Sequence, residues 1–271
     1  MARLLGRVRP VYVIATVAIV AVIGAGLAPG LAMVGGAQPV ADGIGRSVVM
    51  VLGSYGTACT ANAIGRDLLL TAAHCVQPGA DYKLVDRDPG HDPSQVPVLK
   101  DTARIERDPQ FDLKRLFGHL ATADVALIKL VDPLPARIPL ARIGGENETV
   151  AVGDSLVVVG YGVTVRGDGR TGGTVRAATL VVTGQPGTLQ IRLFDPATKG
   201  LSAGLGACAG DSGAPAFRDN NGTLSIIGVV SWSTGPNLSG GCGGLTGITP
   251  LVRYRAWIID TARMLGSPLE P

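Results

Sequence analysis

A histidine, an aspartate and a serine stand in that chain order inside three short strings. These are Thr71-Ala72-Ala73-His74-Cys75, Asp124-Val125-Ala126-Leu127-Ile128-Lys129-Leu130 and Cys208-Ala209-Gly210-Asp211-Ser212-Gly213-Ala214-Pro215. A serine hydroxyl is a poor nucleophile at neutral pH. It becomes a good one when an imidazole takes its proton and a buried carboxylate fixes the imidazole tautomer. Taken singly, each residue has an ordinary reading. His74 beside a cysteine reads as a packed histidine, Asp124 before an apolar run as a turn or cap residue, and Gly210-Asp211-Ser212-Gly213 as a surface turn. Taken together they point to acyl transfer by an activated serine. The order His…Asp…Ser separates this chain from hydrolases that run Ser…Asp…His or Asp…His…Ser. Gly210 and Gly213 permit a tight turn that lifts the Ser212 hydroxyl and aims backbone N–H groups at one point.

Such side chains need a rigid frame. Short β-branched runs cut by Gly, Pro, Asp and Asn predict strands at Val48–Leu52, Asp67–Thr71 and Val125–Leu130 in a first half. Ser155–Gly160, Thr174–Val182, Leu189–Leu193, Leu224–Ser231 and Leu245–Ile248 follow in a second half. This spacing predicts sandwiches or barrels. A Pro- and Gly-bearing connection, Asp132 to Gly145, divides the halves, and Asp81 to Gln110 reads as a surface loop. Only the tail has helical spacing: Trp257, Ile258, Ala262 and Leu265 share a face within Tyr254–Leu265.

The first segment is not part of that frame. Arg3, Arg7 and Arg9 precede an uncharged apolar stretch, Val11–Ala28, and Gly30-Leu31-Ala32 gives a small-x-small cleavage pattern. Residues 1–32 therefore read as an export signal, with a retained membrane anchor as the alternative. Those arginines account for the whole formal charge of +3, so nothing in the remainder suggests a nucleic-acid partner. Roughly 240 residues remain, enough for two all-β barrels. Four cysteines behind an export signal read as two disulfides, and the count alone allows three pairings. Zinc is the weaker reading, because no C-x-x-C pair is present. His91 and His119 lie in loop-like sequence without a ligand cluster, and no metal or cofactor is expected.

The three strings resemble the trypsin/chymotrypsin family of secreted serine endopeptidases, over about Met33 to Leu265. The resemblance implies an all-β fold: two six-stranded antiparallel β-barrels, about 33–140 and 150–252, with a C-terminal α-helix at about 253–266 docked on the second barrel. It selects the pairings Cys59–Cys75 and Cys208–Cys242, each contributing on the order of 3 kcal/mol through loop closure. It implies Ser212 as nucleophile, His74 as acid and base, Asp124 as the orienting carboxylate, and the N–H groups of Gly210 and Ser212 as the oxyanion hole. The family more often has Gly where Ala214 stands.

The same resemblance pairs Asp211 with a freed N-terminal ammonium. Met33-Val34-Gly35-Gly36 stands where the family usually has Ile-Val-Gly-Gly, directly after the proposed signal cleavage. Signal removal would then create the activating amine with no separate zymogen step. Ser231-Trp232-Ser233 resembles the strand that pairs with substrate backbone, with Trp232 walling an apolar subsite. Gly206 falls on the floor of the primary pocket, where trypsin-like members carry an aspartate. Ser233 narrows it, and the other wall lies near Thr246 and Gly247. Cleavage after small or medium uncharged residues is expected, since a buried Arg or Lys would find no partner. Peptide or protein substrates, proteinaceous inhibitors and a monomeric state are the implied partners, with a membrane only if the apolar segment is kept. The rival from another class is a non-catalytic binding protein on a protease-like fold. N-terminal sequencing of the secreted product is expected to start at Met33; another first residue would overturn that origin of the amine.

Overall fold

The structure is a computed structural model describing residues 33–40, 43–86, 98–185, 189–220 and 222–269. The export segment 1–32 and His91 lie outside the described residues. Among the described residues, no helix is long and apolar enough to cross a membrane.

Two-residue β1 (Gln38–Pro39) precedes the first barrel. That barrel comprises β2 (Val48–Gly53), β3 (Ala58–Gly65), β4 (Leu68–Thr71), β5 (Tyr82–Asp86), β6 (Val98–Arg107) and, after helix α1 (Leu113–Phe117), β7 (Ala126–Leu130). The strands close in the order β2-β3-β4-β7-β6-β5. Short β8 (Arg142–Ile143) lies in the connection. Then come β9 (Ser155–Gly160), β10 (Arg176–Gly184), β11 (Ile191–Phe194), β12 (Pro215–Asn220), β13 (Thr223–Ser233) and β14 (Leu245–Pro250). Their order β10-β11-β14-β13-β12-β9 is closed by the β9–β10 pairing, so the second unit is also a six-stranded antiparallel barrel. β1 adds to β10, and β8 runs parallel to β13. Helix α2 (Arg255–Met264) ends the fold.

Apolar residues sort into three cores. One fills the first barrel, around Val51, Ala61, Leu69 and Ile128. Another fills the second, around Leu156, Leu180, Leu193 and Ile248, and includes Met33. The third is the seam between them. There Leu68, Leu70 and Leu127 meet Val159, Phe217, Ile226 and Val229, closed by Ile258 and Ala262 of α2. Strands with one face in a barrel and the other in the seam are apolar on both sides, and β4 is buried at every position. That explains the weak two-residue alternation in this chain.

Four features depart from the sequence expectation. Tyr82–Asp86 and Val98–Arg107, inside the expected surface loop, pair as β5 and β6. Small-residue β3 and Pro-led β12 carried no strand signal, yet β3 pairs with both β2 and β4, and β12 with both β9 and β13. Asp112 caps α1 by accepting from the Lys114 and Arg115 N–H groups. Finally, α2 packs not only with the second barrel but in the seam, where it also meets β7 of the first. Ser267 behind it donates to Asp67 at 2.5 Å and accepts from Lys129 at 2.5 Å, fastening the tail to the first barrel.

Phe217, 1 % exposed, is the largest fully buried side chain of the seam. Phe217→Ala is expected to lower the unfolding free energy by about 3–5 kcal/mol, read from urea denaturation.

Candidate active site

The Cys59–Cys75 disulfide joins β3 to the turn that carries His74. Directly after β4, Ala72 and Ala73 are fully buried and leave the ring on a one-turn 3₁₀ segment, Ala73–Cys75. The His74 backbone N–H donates to Asp124 Oδ1 at 2.9 Å, and its Nδ1 stands 2.7 Å from Oδ2. With a carboxylate as partner, Nδ1 carries the proton and Nε2 is left as the acceptor. Asp124 is wholly buried at the head of β7. Ser231 Oγ on β13 also donates to its Oδ2, at 2.5 Å. A buried carboxylate requires such donors. Ser231, expected beside substrate, thus turns its hydroxyl to Asp124, and sequence spacing gave no sign of that bond.

Ser212 belongs to the other barrel, in the loop entering β12. Gly210 and Gly213 both have positive φ, +95° and +80°. A Cβ on Gly213 would sit 2.1 Å from Thr71 Oγ1, so the loop presses on the segment preceding His74. Thr60 pins the two barrels. Its N–H donates to the Ser212 carbonyl at 2.8 Å, and its hydroxyl donates to the Gly210 carbonyl at 2.8 Å. The same hydroxyl accepts from the Tyr161 N–H at 3.1 Å. These bonds put Ser212 beside the His74 turn, although the hydroxyl and the ring share no hydrogen bond in this state. Catalytic hydrogen bonds often tighten only with substrate present. Among the described residues, the Gly210 and Ser212 N–H groups donate to no protein acceptor.

Asp211 is fully buried and turned away from the cleft. Its Oδ1 accepts from the Gly162 N–H at 2.8 Å and its Oδ2 from the Cys208 N–H at 2.9 Å. Burial pushes its pKa up to about 7, against the pull of those two donors. No cation among the described residues pairs with it. Met33 is wholly buried in the same barrel interior, and Val34 bridges to Gly206.

A cavity of about 220 Å³ opens beside Ser212, walled by Ala209, Val230, Trp232, Ser233 and the Cys208–Cys242 disulfide. Gly206 and Gly247 are not among the residues that line the cavity. Gly206 packs on Gly243 and Thr246, and a Cβ on Gly247 would fall 2.0 Å from the Trp232 ring, so only glycine admits the indole there. Arg166 also reaches the cavity and donates to the Gly240 carbonyl at 2.8 Å. Its isolated position in a turn-rich stretch gave no prior signal. Cys59, His74 and Cys75 lie close enough to resemble a metal cluster, but the disulfide consumes both thiolates.

The sequence profile of the trypsin family matches residues 34–258. A snake venom serine protease, rhinocerase 4 of Bitis rhinoceros, is 26 % identical over 224 residues, covering 79 % of this chain and 81 % of that protein. Among solved structures, human heparin binding protein superposes with a TM-score of 0.66 at 22 % identity, covering 88 % of this chain and all of that one. A second structure, described as HBP at atomic resolution, gives 0.66 at 20 % identity, with 88 % and 100 % coverage. At these identities the structural likeness concerns the fold.

Thr60→Val keeps the shape but removes the hydroxyl that joins the part-buried Gly210 carbonyl and Tyr161 N–H. It is expected to cost about 1–3 kcal/mol in a denaturation experiment and to slow turnover. Unchanged values would show the pin to be idle.

Proposed function

The chain belongs to the trypsin family, and from that premise we propose that it is a secreted serine endopeptidase acting through an acyl-enzyme. Ser212 Oγ attacks the scissile carbonyl carbon while His74 Nε2 takes the hydroxyl proton. Asp124 holds Nδ1–H and stabilises the imidazolium as it forms. The Gly210 and Ser212 N–H groups receive the developing oxyanion, each worth about 3–4 kcal/mol. The imidazolium then gives its proton to the leaving amine, the C–N bond breaks, and an ester remains on Ser212. Water, deprotonated by His74, attacks that ester and releases the acid, and Ser212 regains its proton.

One observation carries this reading. Asp124, wholly buried, commits both oxygens to His74 and Ser231, while two N–H donors beside the candidate nucleophile stay unused. A fold with no chemistry to do has little reason to keep both features. Asp211 fits the same account: an ammonium at a freed Met33 would supply the missing counter-charge and set the oxyanion loop. Among the described residues, no acidic side chain lines the cavity, which supports cleavage after small or medium uncharged residues, with Trp232 and Ser233 as walls. Peptide or protein substrates, export through residues 1–32 and a monomeric state complete the proposal.

The second reading, a binding protein on the protease fold, draws on the likeness to a heparin binding protein. A heparin ligand calls for an excess of basic charge. From residue 33 onward, basic and acidic residues balance.

A fluorophosphonate probe is expected to label the protein, and Ser212→Ala to abolish labelling. His74→Ala should lower turnover by at least about 10³-fold. Labelling that survives Ser212→Ala would overturn the assignment. Mass-spectrometric mapping of cleavage sites in a peptide mixture tests the pocket. A dominant preference for Arg or Lys would refute the uncharged reading.

A further inference from the structure

Among the described residues, Arg166 is the only charged side chain on the wall of the cavity beside Ser212, and no carboxylate pairs with it. The acid nearest in sequence, Asp168, is engaged elsewhere: Arg170 Nε donates to its Oδ1 at 2.9 Å and Nη2 to its Oδ2 at 3.0 Å. Among the described residues the Arg166 guanidinium makes one hydrogen bond, from Nη1 to the Gly240 carbonyl at 2.8 Å. Most of its fork of N–H donors is left open.

The side chain is carried by a braced turn. Thr171 Oγ1 accepts from the Thr164 and Val165 N–H groups at 3.1 and 3.2 Å and donates to the Asp168 carbonyl at 2.8 Å. Val163 N–H donates to the Ala209 carbonyl at 2.8 Å, which joins the base of the turn to the Ser212 loop. On its other side the guanidinium rests on Gly240 and Gly241, where added Cβ atoms would stand 3.9 and 3.4 Å from its nitrogens. The Gly241 carbonyl accepts from the Ser233 hydroxyl at 3.3 Å, so Arg166 stands at the Ser233 end of β13.

On the endopeptidase reading above, the acyl part of the substrate lies extended along Ser231-Trp232-Ser233, with the side chain of the cleaved residue in the cavity. In an extended chain, side chains two residues apart share a face and lie roughly 6–7 Å from one another. The residue two before the cleaved one therefore holds its side chain at the cavity mouth on the Ser233 side, beside Arg166. We propose that Arg166 is a specificity-determining residue that takes the carboxylate of an Asp or Glu at that substrate position. A planar guanidinium anchored at one nitrogen offers its remaining donors in the geometry a carboxylate prefers. A lysine there meets like charge. The inference rests on the Ser212 assignment and deepens it: the cavity takes a small or medium uncharged side chain, and charge is read at its mouth. Arg166 is exposed, so salt screens the pairing.

The test uses matched peptides that carry, at the cleaved position, the residue that cleavage mapping finds best. They differ only two places before it, with Glu, Gln or Lys. Wild type is expected to cleave the Glu peptide with kcat/KM about fivefold above the Gln peptide, the scale of an exposed ion pair, and the Lys peptide below both. Raised salt should bring the three together. Arg166→Ala should hold the Glu and Gln peptides within about twofold of each other. Arg166→Lys should keep the preference for Glu, and Arg166→Glu should turn it toward Lys. A residue that only braced the loop would, when replaced, slow all three peptides alike. Fluorophosphonate uptake checks the fold of each variant, while the wild-type ratio and its loss in salt need no variant. Wild type that treats Glu and Gln alike overturns the proposal. So does a preference for Glu that survives Arg166→Ala, or one confined to residues after the cleaved bond. If wild type takes up fluorophosphonate in any of these cases, the Ser212 assignment stands and this proposal alone fails. If it takes up none and cleaves no peptide, the assignment itself fails and the proposal falls with it.

Discussion

The seam between the barrels is the constraint on which the site depends. His74 and Asp124 come from one barrel and Ser212 from the other, so no local structure can bring them together. Leu68, Leu70 and Leu127 packing on Phe217, Ile226 and Val229 supplies the adhesion. Burial of apolar area is non-directional, and it would allow one barrel to slide on the other. Direction comes from polar pins: Thr60 to Ser212 and Gly210, Asn62 Nδ2 to the Gly213 carbonyl at 3.3 Å, and Ser231 to Asp124. Each is a buried or part-buried hydrogen bond whose misalignment leaves a polar group poorly partnered. Together they fix the register of the halves.

The two buried aspartates show how differently one side-chain type can be used. Asp124 accepts from the His74 backbone N–H, stands 2.7 Å from the His74 ring and accepts from the Ser231 hydroxyl, so both its oxygens are engaged. Asp211, next to Ser212 in sequence, points inward to the Gly162 and Cys208 amides, and burial raises its pKa to about 7 against the pull of those donors. A carboxylate so poorly compensated invites a positive group. Met33 lies wholly buried in the same barrel interior, and among the described residues the Gly210 and Ser212 N–H groups donate to no protein acceptor.

The helix at the C-terminus joins these themes. Its apolar face, Ile258 and Ala262, completes the seam, and Ser267 behind it ties back to Asp67 and Lys129 on the first barrel. A helix leaving the second barrel therefore clamps the first. Helical spacing in Tyr254–Leu265 was plain in the sequence, but an amphipathic stripe states only that a face is covered. Which barrel covers it depends on the chain path.

The sequence by itself carries the proposed chemistry: three strings, their order and their glycines point to an activated serine. It also pointed to strands with concentrated β-branched residues, such as Ser155–Gly160 and Leu224–Ser231, because those residues fit a pleated surface whatever surrounds it. Strands such as Ala58–Gly65 were hidden, since small residues buried on both faces leave no alternation to read. Only the tertiary structure decided that Thr60 pins the Ser212 loop, that Ser231 donates to Asp124, and that Asp211 turns to the Gly162 and Cys208 amides. Those facts turn on distances between residues far apart in the chain. Short-range pattern cannot carry them, because each is set by how two closed barrels meet.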